Sequence, residues 1–359
     1  EWIDYDFVTA AQELMHKAVA AADTAERKRR VRHVNASVAF AAMIAMPKLE
    51  VTGDRLVIRY APAPSLAEYC DTLAEIGVPE VRPEPYMEVY APWVKGLEAV
   101  RTTESSLVRI ENDHNLLWLA PEYKGSVVRW LDKDHGLELL DSLEDYGEGG
   151  HYYWHTMQDW VARAKTPPEF PIADVYAVVE QGDDYVVVGA TTPDGLAVTR
   201  TMRLLPDKAG LEVVLEVKNA TDKPEKPNIK FHPEFYTFEP GQPEVYGKTT
   251  AGWEHLNSEV YPHWTSHGEF LKPKDYERWG FGVPARGFAV LNDFNADEVG
   301  DLLYFYLAEK DRRHLNLELL MENSPLGAGE TRRMHTRYTV VSEAPWWSGS
   351  VTEKEGRDE

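Results

Sequence analysis

Two side chains able to exchange protons near neutral pH stand inside stretches of alternating apolar residues: the imidazole of His232 and the carboxylate of Glu318. Phe231, Phe235 and Tyr236 surround His232 and would line a pocket for a ring-shaped ligand. The bland alternative is a strand histidine hydrogen-bonded within a core. Glu318 lies between Leu317 and Leu319. Strand alternation places Glu318 and Leu320 opposite those two leucines, either on a concave functional face or on a solvated outer one. A partly buried Glu would titrate high, which suits proton transfer.

Ring side chains form two further groups. His151, Tyr152, Tyr153, Trp154 and His155 follow Gly149-Gly150. Flat rings stack on the apolar faces of sugars without demanding hydrogen bonds; a core strand with aromatic filling is the alternative. Trp253, His255, Tyr261, His263, Trp264 and His267 carry the same two readings. His263 and His267 would share a metal only on a helix, and Pro262 and Gly268 make that stretch a loop, so no metal is expected. Asn295, Asp297, Glu298 and Asp301 read as a solvated acidic loop rather than a calcium site. Arg129, Arg312, Arg313, Arg332 and Arg333 are candidate carboxylate clamps. With no phosphate loop, dinucleotide fingerprint or Ser-His-Asp motif, no cofactor is expected.

The chain has 359 residues, 43% hydrophobic and 27% charged, enough for two or three domains with a large core. Its net charge of -22 repels phosphate backbones, so nucleic acid is not expected as a partner. The same field disfavours a broad anionic polymer but leaves room for a local basic pocket that takes one uronic acid. No apolar run reaches the roughly 18 residues of a membrane-crossing helix, so no membrane partner is expected. Cys70 is the single cysteine, which excludes an internal disulfide and a cysteine-built zinc site. The compartment stays open, with a secreted or periplasmic one favoured. The chain opens Glu1-Trp2-Ile3, which reads as a fragment or as a chain that has lost its leader.

The elements that must position these residues follow from periodicity. Residues 1–47 read as two helices with stripes Phe7, Ala11, Leu14, Met15, Ala18 and Val31, Val34, Val38, Ala41, Ala45, closed by Pro47. Residues 48–105 read as an α/β connector. It holds a strand at Leu56–Tyr60, a helix capped by Ser65 and a proline-stiffened run from Val78 to Trp93. From Leu107 the period becomes two, with strand runs between turn signals such as Pro193-Asp-Gly195 and Gly327-Ala-Gly329. Many strands and sharp turns mean a mainly β, two-sheet sandwich, larger than an immunoglobulin domain of about 100 residues. Residues 106–345 form this sandwich, Tyr236–Tyr276 reads as a long loop excursion, and residues 346–359 form a tail.

Three segments resemble the galactose mutarotase and aldose 1-epimerase superfamily. They are the run from Val108 to Gly136, the stretch Asn228-Ile-Lys-Phe-His-Pro-Glu-Phe-Tyr236, and Leu315-Asn-Leu-Glu-Leu319 followed by Gly327-Ala-Gly-Glu-Thr331 and the strand Met334–Val341. The resemblance covers about two-thirds of the chain and implies a large β-supersandwich. By position it implies that His232 is a general acid and Glu318 a general base for sugar mutarotation. The family's early Asn-Arg and Leu-His-Gly segments have no clear counterpart, and Gly149–His155 occupies that region, so His151 is the candidate second histidine. Tyr153, Trp154, His155, Phe235, Tyr236, Trp253, Trp264 and Arg129 are then candidate sugar contacts. The first 46 residues also resemble the helical tail that follows the barrel in some bacterial glycoside-hydrolase-like proteins, distantly similar to α-glucuronidases. These resemblances imply a saccharide ligand and an upstream catalytic barrel as partners. The leading expectation is the accessory, sugar-binding region of a glycoside hydrolase. An aldose 1-epimerase-like enzyme and a non-catalytic carbohydrate-binding protein are the alternatives.

Overall fold

The computed structural model describes residues 5–45, 47–75, 102–140, 157–163, 175–192, 195–236, 244–256, 270–306, 314–348 and 351–353. The chain divides into two compact units, with a boundary after Ser106.

The first unit holds α1 (Tyr5–Ala21), α2 (Ala25–Ile44), β1 (Lys48–Thr52), β2 (Arg55–Arg59), α3 (Leu66–Glu75) and β3 (Glu104–Ser106). Thr24 opens α2 by accepting the Arg27 N–H at 3.2 Å. Ser65 and Glu68 form a reciprocal capping box at the start of α3, with Glu68 N–H on Ser65 Oγ and Ser65 N–H on Glu68 Oε2. The helices pack through Val8, Ala41, Ala42 and Ala61. The expected stripes hold in part: Ala41 of the second is buried, whereas Phe7 and Leu14 of the first and Val34 of the second are exposed. The buried face of α1 centres on Val8, and one residue along a helix is a rotation of about 100°, which carries Phe7 away.

The second unit is a layered β structure. Its strands are β4 (Val108–Glu111), β5 (Asn115–Ala120), β6 (Ser126–Asp132), β7 (Leu137–Glu138), β8 (Gln158–Arg163), β9 (Ala177–Gln181), β10 (Tyr185–Thr191), β11 (Leu196–Leu204), β12 (Gly210–Asn219), β13 (Pro227–His232) and β14 (Glu234–Tyr236). There follow β15 (Glu244–Thr249), β16 (Gly252–His255), β17 (Phe270–Leu271), β18 (Arg278–Val283), β19 (Phe288–Phe294), β20 (Val299–Tyr306), β21 (His314–Met321), β22 (Thr331–Val341) and β23 (Val351–Glu353). A ten-stranded sheet runs β23-β16-β15-β18-β19-β22-β12-β11-β10-β9, and a six-stranded sheet runs β17-β20-β21-β13-β8 with β14 also on β21. Strands β4 to β7 form a four-stranded sheet. One expectation is corrected: the stretch from Tyr236 to Tyr276, read as a loop excursion, contains β15, β16 and β17. Val351–Glu353 joins the large sheet beside β16.

Alternation sorts each strand between core and outer face. Val213 and Leu215 of β12, Met334 and Tyr338 of β22, Phe231 of β13 and Leu317 and Leu319 of β21 share one core with Leu117 and Trp130. The rings of Phe231 and Tyr338 meet across the two large sheets at 6.3 Å.

One ion pair crosses this apolar layer. Arg200 of β11 and Asp159 of β8 contact each other with both side chains fully buried. The Tyr176 hydroxyl donates to the same carboxylate, and Arg200 donates to the Gly125 carbonyl. Gly125 has φ +58°, and a Cβ there would sit 2.9 Å from Arg200 Nη2 and from the Tyr176 ring, so only glycine admits the guanidinium. Removing one partner strands the other charge in the core. Asp159→Ala is expected to lower unfolding free energy by roughly 3–5 kcal/mol in urea titrations, and Asp159→Leu with Arg200→Met to recover much of that loss. A loss below about 1 kcal/mol for Asp159→Ala would mean the pair contributes nothing.

Candidate functional site

His232 ends β13 because Pro233, lacking an N–H, cannot continue the ladder. Strand β13 lies between β8 and β21, with His232 opposite Gln158, Lys230 opposite Trp160 and Phe231 opposite Leu319. Phe231, Leu317 and Leu319 point into the core. Lys230, His232, Asn316, Glu318, Gln158 and Trp160 therefore share the other face of the six-stranded sheet.

These side chains make a closed polar cluster. His232 Nδ1 lies 3.2 Å from Glu318 Oε1, and Lys230 Nζ donates to Glu318 Oε2 at 2.8 Å. Asn316 Nδ2 is 3.2 Å from His232 Nε2 and 3.4 Å from Glu318 Oε1. An amide N–H aimed at Nε2 makes that atom the acceptor, so the proton sits on Nδ1 and is donated to Glu318. The Lys230 ammonium rests 3.8 Å from the centre of the Trp160 ring, a cation–π contact, and that ring lies 4.8 Å from the imidazole. His232 and Glu318 are 2% and 3% exposed.

Burial sets the titration. Loss of water pushes the His232 imidazole down to about 3; Glu318 opposes this and the Lys230 ammonium adds to it. Burial pushes Glu318 up, but Lys230 and His232 outweigh it and hold the carboxyl below its usual range. The cluster at neutral pH is thus an ammonium–carboxylate ion pair beside a neutral imidazole.

No protein-family model matches the chain, and no curated protein matches it. Solved structures do. One is a galactose mutarotase-like protein from Lactobacillus casei ATCC 334, 14% identical, TM-score 0.52, covering 66% of this chain and 100% of that one. Another is the Slr1438 protein from Synechocystis sp. PCC 6803, 14% identical, TM-score 0.51, covering 67% of this chain and 96% of that one. The fold is galactose mutarotase-like.

Within this mutarotase-like sandwich, the expected acid and base, His232 and Glu318, are neighbours on one face. Other expected contacts scatter. Phe235 is a core ring, fully buried between Phe281 at 5.3 Å and Tyr338 at 5.6 Å, because Pro233 separates β13 from β14 and the new strand turns its ring inward. Tyr236, beside it, is half-buried on β14. Trp253 belongs to an aromatic cluster with Trp346 on the outside of the ten-stranded sheet, away from His232. Arg129 stacks 4.6 Å over Trp118 and holds Glu138 at 2.8 Å, so its guanidinium is engaged on the four-stranded sheet. Arg332 donates to the Ser324 hydroxyl and carbonyl rather than clamping a carboxylate. His151, Tyr153, Trp154, His155, Trp264, Arg312 and Arg313 lie outside the described residues. In the acidic loop, Asp297 and Asp301 pair with Lys274 and Lys272 and Glu298 accepts the His335 N–H. Among the described residues no group of three metal-ligating side chains exists.

The sequence reading missed Lys230, Asn316, Gln158 and Trp160. Lys230 stands two residues before His232, and Asn316 two before Glu318, so alternation alone could have placed both beside the candidate pair. Gln158 and Trp160 lie on a strand that periodicity did not mark.

An unfolded imidazole titrates near 6.5 and this folded one near 3, so the unfolded chain binds more protons between those values. Stability from this group is complete above pH 6.5 and declines as pH falls toward 3, by at most about 1.4 kcal/mol per pH unit. Glu318, with its lowered pKa, acts in the same direction below its ordinary value. Urea unfolding between pH 7 and pH 5 is expected to show this decline, and His232→Asn to flatten it. Identical slopes in the two proteins would refute the neutral buried histidine.

Proposed function

We propose that this chain is a carbohydrate-binding accessory sandwich of a carbohydrate-active protein, serving a glycoside hydrolase barrel, and that it does not interconvert sugar anomers by itself. The fold supports the carbohydrate part of this reading. The state of Glu318 supports the non-catalytic part. A general base must offer a lone pair to the anomeric hydroxyl within hydrogen-bond reach. Glu318 has both oxygens engaged, one by Lys230 at 2.8 Å and one by His232 at 3.2 Å, and is 3% exposed. The His232 proton is likewise committed to Glu318.

One observation favours a second reading, an aldose 1-epimerase-like enzyme. An imidazole and a carboxylate lie on adjacent strands, on one face, in the order that the resemblance implies. Substrate entry would then have to displace the contact between them.

Polarimetry separates the two. Freshly dissolved α-D-glucose, α-D-galactose and D-glucuronic acid are expected to mutarotate at the buffer rate in the presence of the full chain. Acceleration that Glu318→Gln abolishes would make the protein an epimerase. Calorimetry against neutral oligosaccharides is expected to give a binding heat that Trp154→Ala reduces; absence of binding by every oligosaccharide tried would remove the accessory reading as well.

A further inference from the structure

The turn between β6 and β7 stands against the end of β22. Gly136, at φ +66°, closes that turn. Ala209 ties the two together: its carbonyl accepts the Val340 N–H at 3.0 Å, and its own N–H donates to the Asp134 carboxylate at 3.2 Å. His114 holds Asp134 from the other side, its Nδ1 at 2.9 Å.

A chain of three side chains crosses this junction. Asp132, the last residue of β6, is fully buried. Its Oδ1 accepts the backbone N–H groups of Asp134 at 2.9 Å and His135 at 3.2 Å. Its Oδ2 lies 2.5 Å from His135 Nδ1. On the far side of the ring, His135 Nε2 lies 3.0 Å from Ser342 Oγ. Ser342, the first residue after β22, is exposed.

The order of contacts assigns the protons. The two backbone donors hold Oδ1, which leaves Oδ2 to accept from Nδ1. With the ring proton on Nδ1, Nε2 offers a lone pair to the Ser342 hydroxyl. Nucleophile, base and orienting carboxylate thus stand in the sequence of contacts that acyl-transfer sites use, and such a set is recognised by roles and geometry rather than by order along the chain. No local pattern could show it, because His135 and Ser342 are 207 residues apart.

We propose that Asp132, His135 and Ser342 form an acyl-transfer site for short-chain carboxylic esters. The Ser342 oxygen bonds to the ester carbonyl carbon while its proton passes to His135 Nε2. The ester C–O bond then breaks, and the departing alcohol takes that proton. Water, deprotonated by His135, releases the acyl group as the carboxylic acid and restores the serine. Ser342 and His135 are the catalytic residues; Asp132 is a positioning residue that fixes the tautomer. The site follows β22 of the ten-stranded sheet, whereas His232 lies on the six-stranded one, and it does not depend on sugar binding.

The full chain with p-nitrophenyl acetate tests this. Nitrophenolate release is expected to run at least about tenfold faster than with Ser342→Ala, the low end of what a positioned base contributes. Peptide mass spectrometry is expected to find the acetyl group on Ser342. Replacing an exposed hydroxyl leaves the fold intact, checked by an unchanged thermal midpoint. Nitrogen NMR is expected to show the His135 proton on Nδ1 in the unaltered chain and on Nε2 in Asp132→Asn, whose amide N–H would face the ring. If that variant does not fold, the tautomer of the unaltered chain decides. A rate unchanged by Ser342→Ala, which an imidazole acting alone would give, would overturn the site. So would release at the buffer rate, acetylation only at other residues, or a proton on Nε2 in the unaltered chain.

Discussion

Asp159 and Arg200 cross the apolar layer between the two large sheets, and each can be there only because the other is. A lone charge in that layer would cost several kcal/mol, whereas the pair, completed by the Tyr176 hydroxyl and the Gly125 carbonyl, leaves the carboxylate satisfied. The contact therefore ties the position of β8 in one sheet to that of β11 in the other. Successive side chains on a strand point to opposite faces, so fixing Asp159 inward fixes Gln158 and Trp160 outward. Those two are the register partners of His232 and Lys230. The core ion pair thus positions the polar cluster from one residue away.

The same constraint shapes the cluster. Lys230 and Glu318 are buried together as an ion pair, and the imidazole beside them stays neutral because a second cation there would have no water to hydrate it. This closure decides how the two ends of the functional argument weigh. Residue types at 232 and 318 suit acid–base chemistry, while their mutual contacts occupy the atoms that such chemistry would use.

Much of the β architecture was readable residue by residue. Strands at β5, β6, β10, β11, β12, β21 and β22 follow from alternating apolar runs bounded by turn residues. The capping box at Ser65 and Glu68 follows from residue types three apart. Strands β15, β16 and β18 escaped, because glycines and clustered aromatics blur the period there. The stripe on α1 was misplaced because apolar residues lie around much of that helix and only packing selects the buried side.

What the chain alone determined was direction: along β13 and β21 it settled that Phe231 and Leu319 turn one way and His232 and Glu318 the other, since that is a local property of extended backbone. Which strands lie side by side was decided only by the tertiary structure. His232 and Glu318 are 86 residues apart in sequence, Asp159 and Arg200 are 41 apart, and no local period encodes either meeting. Burial of Phe235 in the core and occupation of both Glu318 oxygens arise at the same level. Each depends on what neighbouring strands bring to within a few ångströms.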